Sequence, residues 1–370
     1  MTLQSNTSWT GRVLEIYQSL PALRASQAVP PEGIASLSPA YFAMVMATGI
    51  VSIAAELFSL PWFAMLLFYI NITAYIVLCV LYGIRFFKYH QWFLLDFTDP
   101  SKCPAYLTFV AGTCILGTQF ILLAGKPIVS MYLFFIALVA WVFLIYAFFT
   151  LVAIKQNKPT IDKSISGLWM LTIVSTQALS ILGTQLCQML PFGVEKTLFF
   201  SLFMFFCGCM FYIILITLTI YRVAFFEMTA ESFAPAFWIN MGAVAITTLA
   251  GSMLLLNANK WDFLQTLVPF LIGFTMFFWA MSTWWIPLIV ILGIWRHIVR
   301  KLPLRYHPQY WGMVFPLGMY TVCTMRLSEA LHLEFVKEIP TLFVFIAIAA
   351  WLAAFLSMIY EMASKIFTKS

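Results

Sequence analysis

The sequence is poor in charged residues. Only 9% of its 370 residues are Asp, Glu, Lys or Arg, whereas 63% are hydrophobic. A soluble domain carries roughly a quarter charged residues, so this scarcity excludes an ordinary soluble fold. The composition instead predicts an all-α polytopic membrane protein whose helices are solvated by the lipid bilayer.

Residues that carry enzyme or metal chemistry are also few. The chain has four histidines and seven cysteines, with no CxxC pair and no two histidines spaced as i and i+4. No nucleophile with a neighbouring base, and no cluster of metal ligands, falls at membrane depth. The sequence therefore predicts no catalytic residue, no metal site and no cofactor. A membrane-embedded enzyme is the remote alternative.

Windows of about 20 apolar residues predict ten membrane spans, which cover 39–58, 62–87, 104–124, 128–153, 165–187, 196–224, 234–256, 263–295, 309–330 and 340–363. Residues 38–363 form the predicted transmembrane domain, and 364–370 form a short tail. Residues 1–37 lack the apolar core of a signal peptide. Within them, "WTGRVLEIYQSLPALRA" (9–25) fits a short amphipathic helix on the membrane surface.

The basic residues predict an orientation. Fifteen of the 20 Lys and Arg residues lie at the termini or in the loops after even spans, four lie in the loops after odd spans, and Arg326 lies inside span 9. Because cytoplasmic loops are enriched in Lys and Arg, both termini are expected in the cytoplasm, with the protein in the plasma (inner) membrane. The net charge of +6 then reflects orientation, and nucleic acid is not an expected partner.

The odd spans share an opening. Spans 1, 3, 7 and 9 begin "SPAYF", "CPAYL", "APAFW" and "HPQYW", and span 5 begins "SGLWM" with Gly167 in place of the proline. The five aromatic anchors are 65, 63, 68 and 73 residues apart, at Tyr41, Tyr106, Trp169, Phe237 and Tyr310. Such a period indicates an internal repeat. Each unit is one helical hairpin, so the sequence predicts five like-oriented hairpins closed into a ring.

Small or hydroxylated residues recur in the odd spans. Eight residues past each anchor are Gly49, Cys114, Gln177, Ala245 and Gly318. Eleven residues past each anchor are Ser52, Gly117, Ser180, Thr248 and Thr321. Because the even spans are dense in Phe, Leu and Ile, we expect the odd helices inside, around a pore lined by these ten residues. The alternative is that the small residues only allow close helix contact.

Span 9 contains "YWGMVFPLGMY", in which Phe315 precedes Pro316 and two glycines flank them. At 100° per residue, Phe315 lies within about 60° of Gly318 and so faces the same side as the small layers. The stretch therefore suggests a gate, in which the ring of Phe315 blocks the pore and Pro316 bends the helix. The alternative is that Phe315 packs between helices and Pro316 only bends span 9.

The motifs "AYFAMVMATGIVS" in span 1 and "YWGMVFPLGMYT" in span 9 resemble the tellurite-resistance/C4-dicarboxylate transporter family. This family includes bacterial tellurite-resistance membrane proteins, fungal malate permeases and sulfite exporters, and the slow anion channels of plant guard cells. The resemblance covers residues 38–363. It implies a homotrimer in which each subunit has its own pore through five inner helices, occluded by a phenylalanine that matches Phe315. Spans 1, 3, 5 and 7 depart from it, since they offer glycines rather than mid-span prolines.

Charge is nearly absent from the middle of the odd spans. No ring of Asp or Glu appears, as a cation filter would need, so a small inorganic or organic anion is the expected substrate. Arg326 lies about 24 Å along span 9 from its anchor, near the outer end, where Glu56 and Glu329 are candidate partners. A structural ion pair and an anion-attracting site both remain open for Arg326.

The expected function is a gated anion channel. The alternative is a proton-coupled carrier of C4-dicarboxylates such as malate, or of sulfite- or tellurite-type oxyanions. A carrier would need a protonatable group on the path, and in this sequence only Glu56 and Glu329 could supply one.

Overall fold

The computed structural model describes residues 33–155, 158–230, 232–303 and 306–367. Helices and turns, without strands, make up this described part of the chain, as expected from the composition. The amphipathic helix predicted at 9–25 lies outside the described residues, as does the end of the C-terminal tail.

Ten long helices follow one another along the chain. They are α1 (Ala43–Leu57), α2 (Pro61–Lys88), α3 (Leu107–Leu122), α4 (Pro127–Ile154), α5 (Leu171–Gln185), α6 (Val194–Phe225), α7 (Ile239–Leu256), α8 (Val268–Ile294), α9 (Trp311–Leu331) and α10 (Glu338–Phe367). With the short turns that precede the odd helices, they match the predicted spans to within a few residues. The exception is span 8, predicted to begin at residue 263. A separate short helix, Asp262–Thr266, precedes α8, and α8 carries a proline in its first turn, where the missing N–H costs little.

Nine helices in the described ranges are long and apolar enough to cross a membrane. The helix missing from this set is α9, although it has 21 residues, 15 of them buried. It carries Arg326 and Glu329, which lower its hydropathy. Because α9 is enclosed by other helices, its sequence need not be as apolar as that of a lipid-facing helix.

Burial alternates along the chain. In the most apolar stretch of α1, α3, α5 and α7, 78% to 94% of the residues are buried, against 22% to 50% in the even helices. Each odd helix packs against the even helix that follows it and against the next odd helix, and α9 packs against α1. After this difference in burial, we call the odd helices the inner helices and the even helices the outer helices.

A short 3₁₀ turn precedes each inner helix. The five turns are Pro39–Phe42, Cys103–Tyr106, Gly167–Met170, Pro235–Trp238 and Pro308–Tyr310. They are the repeated openings seen in the sequence, and each turn contacts the next, with the last contacting the first. The third turn begins with glycine because a Cβ at Gly167 would lie 1.9 Å from the carbonyl oxygen of Ala236.

Hydrogen bonds join outer helices to the inner helix of a neighbouring hairpin, and three of them share one pattern. In each, an aromatic side chain meets a threonine seven residues past an anchor: Trp351 Nε1 to Thr48 Oγ1 at 2.9 Å, Trp141 Nε1 to Thr176 Oγ1 at 2.9 Å, and Tyr75 OH to Thr113 Oγ1 at 3.0 Å. In a membrane interior, polar groups must find partners within the protein. These bonds therefore hold α1, α3 and α5 each to an outer helix of the neighbouring hairpin.

Candidate functional site

A cavity lies between the five inner helices. Its volume open to water is about 30 Å³, and every residue that lines it belongs to α1, α3, α5, α7 or α9. Nine residues past the anchors it is lined by Ile50, Ile115, Ala178, Ile246 and Met319. Twelve residues past, it is lined by Ile53, Thr118, Ile181, Leu249 and Val322, and sixteen past by Leu122, Gln185, Met253 and Arg326. All five repeats thus turn the same face toward one central space.

Phe315 lies on the same helical face as this lining. Offsets of 5, 9, 12 and 16 residues fall within about 60° of one another on a helix, so they form one stripe. Five residues past the anchors the stripe carries Met46, Ala111, Val174, Gly242 and Phe315, all of them buried. Phe315 itself is fully buried. It therefore sits one turn below the cavity, toward the N-terminal ends of the inner helices.

The ring of Phe315 fills the space left by a glycine on α7. A Cβ added to Gly242 would lie 3.3 Å from the Cδ1 and Cε1 atoms of Phe315 and 2.8 Å from Cγ of Pro316. The two glycines that flank Phe315 in the sequence serve other contacts. Gly312 lies beside Ile239 of α7, and Gly318 lies beside Ile50 of α1. The space next to the ring is thus provided by the neighbouring helix.

The serines and the glycine eleven residues past the anchors meet the outer helices. Ser52 Oγ donates to the carbonyl of Ala64 at 2.8 Å, and Ser180 Oγ donates to that of Ser201 at 2.7 Å. The carbonyl of Gly117 accepts from Ser130 Oγ of α4 at 2.7 Å. In the other two repeats, the hydroxyls of Thr248 and Thr321 bond to carbonyls of their own helices.

The residues eight positions past the anchors also lie mostly at contacts between helices. A Cβ at Gly49 would lie 2.5 Å from Cγ2 of Ile115, and one at Gly318 would lie 2.9 Å from Cγ2 of Ile50. Gln177 Nε2 donates to the carbonyl of Phe205 on α6 at 3.1 Å, and Ala245 is fully buried. Of the ten residues predicted to line a pore, Cys114 is the one that lines the cavity.

Sequence reasoning missed the stripe that does line the cavity. It is mostly aliphatic, and aliphatic residues are unremarkable in a membrane helix. The available signal was their alignment, because Ile50, Ile115 and Ile246 share one offset from their anchors.

Polar groups collect at the end of the cavity farthest from Phe315. Arg326 lines the cavity and forms an ion pair with Glu329 at 2.6 Å, with the two side chains about one quarter exposed. Thr118 Oγ1 donates to Gln185 Oε1 at 2.9 Å, which joins α3 to α5. Of the two partners predicted for Arg326, the structure pairs it with Glu329. Glu56 is half-buried and forms no ion pair with any described residue.

None of the described residues that line the cavity is acidic. Among the residues that the structure describes, no three His, Cys, Asp or Glu side chains are grouped as metal ligands. The walls can therefore accommodate an anion without repulsion, and Arg326 supplies a positive charge at the mouth.

The sequence profile of the voltage-dependent anion channel family matches residues 36–359. The chain belongs to the voltage-dependent anion channel family. The resemblance drawn from the span 1 and span 9 motifs is thereby confirmed, and the match covers the ten helices almost completely. Membership of the voltage-dependent anion channel family makes the chain a polytopic membrane protein of an anion channel and transporter group.

Relatives of this chain are found in archaea and bacteria. An uncharacterized transporter of Methanocaldococcus jannaschii is 28% identical over 320 residues, which cover 83% of this chain and 89% of the relative. A second uncharacterized transporter of that organism is 28% identical over 305 residues, or 78% of this chain and 82% of the relative. An uncharacterized membrane protein of Mycobacterium tuberculosis is 36% identical over 155 residues, or 42% of this chain and 78% of the relative.

Proposed function

We propose that the protein is a gated channel for small anions, whose pore runs through a ring of the five inner helices and is closed by Phe315. The observation that carries the proposal is the position of Phe315 on the stripe that lines the cavity, one turn below it. The packing of each inner helix on the next, with α9 on α1, supports the ring.

Opening would move the ring of Phe315 away from the axis. Pro316 has no N–H to donate to the carbonyl of Gly312, so α9 lacks one backbone hydrogen bond next to the ring. That missing bond makes the helix easier to bend at this point. The contact with Gly242 of α7 would break as the ring leaves.

The proposed pore selects anions through one charge and apolar walls. Arg326 at the outer mouth attracts anions, and Glu329 offsets part of its charge. The aliphatic layers nine and twelve residues past the anchors offer few groups to replace water of hydration. We therefore expect weakly hydrated anions such as nitrate to pass more readily than chloride.

A passive channel fits the cavity better than a proton-coupled carrier. A carrier needs a group on the path that gains and loses a proton near neutral pH, and Cys114 and Arg326 are the ionisable residues among those lining the cavity. Transport of C4-dicarboxylates or of sulfite- or tellurite-type oxyanions is the alternative outcome of the test. A homotrimer in the plasma membrane with cytoplasmic termini completes the proposal.

The test is anion flux into proteoliposomes that hold the wild-type protein or Phe315→Ala. Chloride, nitrate, malate and sulfite are compared with and without a proton gradient. Burying a phenylalanine stabilises a closed state by about 1.5–3 kcal/mol, so removal of the ring should raise flux roughly 10- to 150-fold without need of a gradient.

The matched control is Phe278→Ala. Phe278 is also fully buried, but it lies on the outer helix α8. Both variants should lose stability, whereas flux should rise only in Phe315→Ala. Equal flux in the two variants, or wild-type flux of one acid that follows the proton gradient, would contradict the gated channel.

A further inference from the structure

A second cavity lies outside the inner helices. It is bounded by the end of α8, the turn that precedes α7 and the start of α9, and its volume is about 150 Å³. Phe233, Phe237, Leu292 and Met313 give it apolar walls, and Arg296 stands among them. We call it the α8–α9 cavity. It combines an apolar interior with one fixed positive charge.

The guanidinium of Arg296 is only partly satisfied. Its Nη1 donates to the carbonyl of Ala230 at 2.9 Å, and its Nε is buried with no hydrogen-bond partner among the described residues. No carboxylate of the described chain forms an ion pair with it. A buried N–H left without a partner is costly, so this group is placed to bind an anionic oxygen from outside the chain.

The surroundings of Arg296 add positive charge. The backbone after α8 forms a π-helical turn, Trp295–Val299, and π-helical turns occur frequently at functional sites. Arg300 stacks on the ring of Trp295 at 5.2 Å, and Lys301 follows it, exposed. Glu227 lies near Arg300 in a separate surface pocket. Arg300 and Lys301 thus bring two positive charges to the segment just after Arg296, and Glu227 offsets part of that charge.

The cavity opens toward the lipid-facing side of α8. Gly293, which lines it, has no atom within 4 Å of the position of an added Cβ, and the next residue of α8, Ile294, is 50% exposed. A water-soluble anion would gain nothing from the aromatic and aliphatic walls. An amphiphile that carries a phosphate and an acyl chain matches both parts of the cavity.

We propose that the α8–α9 cavity binds an anionic phospholipid, with its phosphate on Arg296 and one acyl chain along the apolar walls. The bound lipid would touch Tyr310 and Met313, and would thus lie against the first turn of the helix that carries Phe315. The site belongs to the membrane leaflet at the N-terminal ends of the inner helices.

The test is native mass spectrometry of the purified protein titrated with phosphatidylglycerol or phosphatidylcholine. The wild type should retain phosphatidylglycerol in preference to phosphatidylcholine by about tenfold or more. This factor corresponds to the free energy of one charge-assisted hydrogen bond. Arg296→Gln should lose this preference. Lys88→Gln, which removes an exposed charge at the end of α2, should keep it.

A second pair of variants tests the acyl-chain part without changing charge. A Cβ at Gly293 or at Gly273 meets no atom within 4 Å, so leucine is tolerated at both positions of α8. Gly293→Leu should fill the cavity and reduce retention of phosphatidylglycerol about tenfold, whereas Gly273→Leu should leave it unchanged.

Retained preference in Arg296→Gln would overturn the proposal, and so would equal retention in the two leucine variants. Lipid retention is the readout, so the result does not depend on whether Phe315 closes a pore.

Discussion

Replacing Gly242 by alanine perturbs the contact between α7 and the ring of Phe315 by a single methyl group. The new Cβ would lie 2.8 Å from Pro316 Cγ and 3.3 Å from two ring carbons of Phe315, whereas carbon atoms pack best at about 3.5–4.0 Å. Overpacking of this kind costs about 1–3 kcal/mol. If the closed state holds the ring in this position, Gly242→Ala should raise anion flux roughly 5- to 150-fold.

The assay is nitrate flux into proteoliposomes for the wild type, Gly242→Ala, Phe315→Ala and the double variant. Once the ring is gone, the methyl group still meets Pro316 Cγ but no longer displaces the side chain that closes the pore, so the flux of the double variant should match that of Phe315→Ala. Gly312→Ala is the control, because its Cβ would meet Ile239 of α7 at an ordinary 3.4 Å. Flux gains that add up in the double variant, or an equal gain in Gly312→Ala, would refute a gate formed by this contact.

Three further predictions concern other parts of the molecule. Thr48→Val should lower the free energy of unfolding in detergent by about 1 kcal/mol. Because Thr48 and Trp351 share one hydrogen bond, adding Trp351→Phe to this variant should cause little further loss. Additive losses in the double variant would contradict this. Arg326→Gln should reduce anion flux about fivefold at about 10 mM salt and little at about 1 M, where screening is strong; a loss independent of salt would indicate a structural role. Burial lowers the pKa of His307 from its ordinary 6.5, and the neutral ring accepts from the N–H of Gln309. As the pH falls below about 6.5, the unfolded chain takes up the proton first, so stability should fall, and thermal unfolding of His307→Asn should show a weaker dependence on pH.

The architecture could be predicted from the sequence because the repeat constrains it strongly. Each anchor marks a 3₁₀ turn and the start of an inner helix, and the turn at Gly167 keeps its place although it lacks the proline. The lengths of the apolar runs predicted the membrane spans, because a helix must cross a fixed thickness of hydrocarbon. The start of α8 escaped this reasoning because Phe263 and Leu264, in the short helix Asp262–Thr266, lie just before the apolar residues of α8 and extend the apolar window.

Which face of each inner helix lines the cavity could not be predicted as easily. A small residue allows a pore and also allows two helices to approach, and these uses look alike in a sequence. The predicted layers lie about 100° from the stripe that lines the cavity. Ser52 and Ser180 are needed for bonds to outer helices, which no sequence period distinguishes from a polar pore wall. The role of Phe315 as a gate stays a prediction, and it was suggested because a proline beside a ring is unusual in a membrane helix.

The sequence did not decide the ion-pair partner of Arg326 for a related reason. Glu56 lies at a similar depth on a neighbouring helix and Glu329 lies one turn away on the same helix, and depth alone favours neither. The structure selects Glu329, because residues three apart on one helix always face each other, whereas a bond between helices also needs the right rotation of both.

The bond between Trp351 and Thr48 joins residues that are 303 positions apart. At a synthesis rate of about 5–20 residues per second, the first helix waits about 15–60 s for its last neighbours to emerge. During that time the face of α1 that will meet α9 and α10 has no native contact. The contacts of α1 with α9 and α10 can therefore form only after the last hairpin is made, and until then the early helices must persist in the bilayer without them.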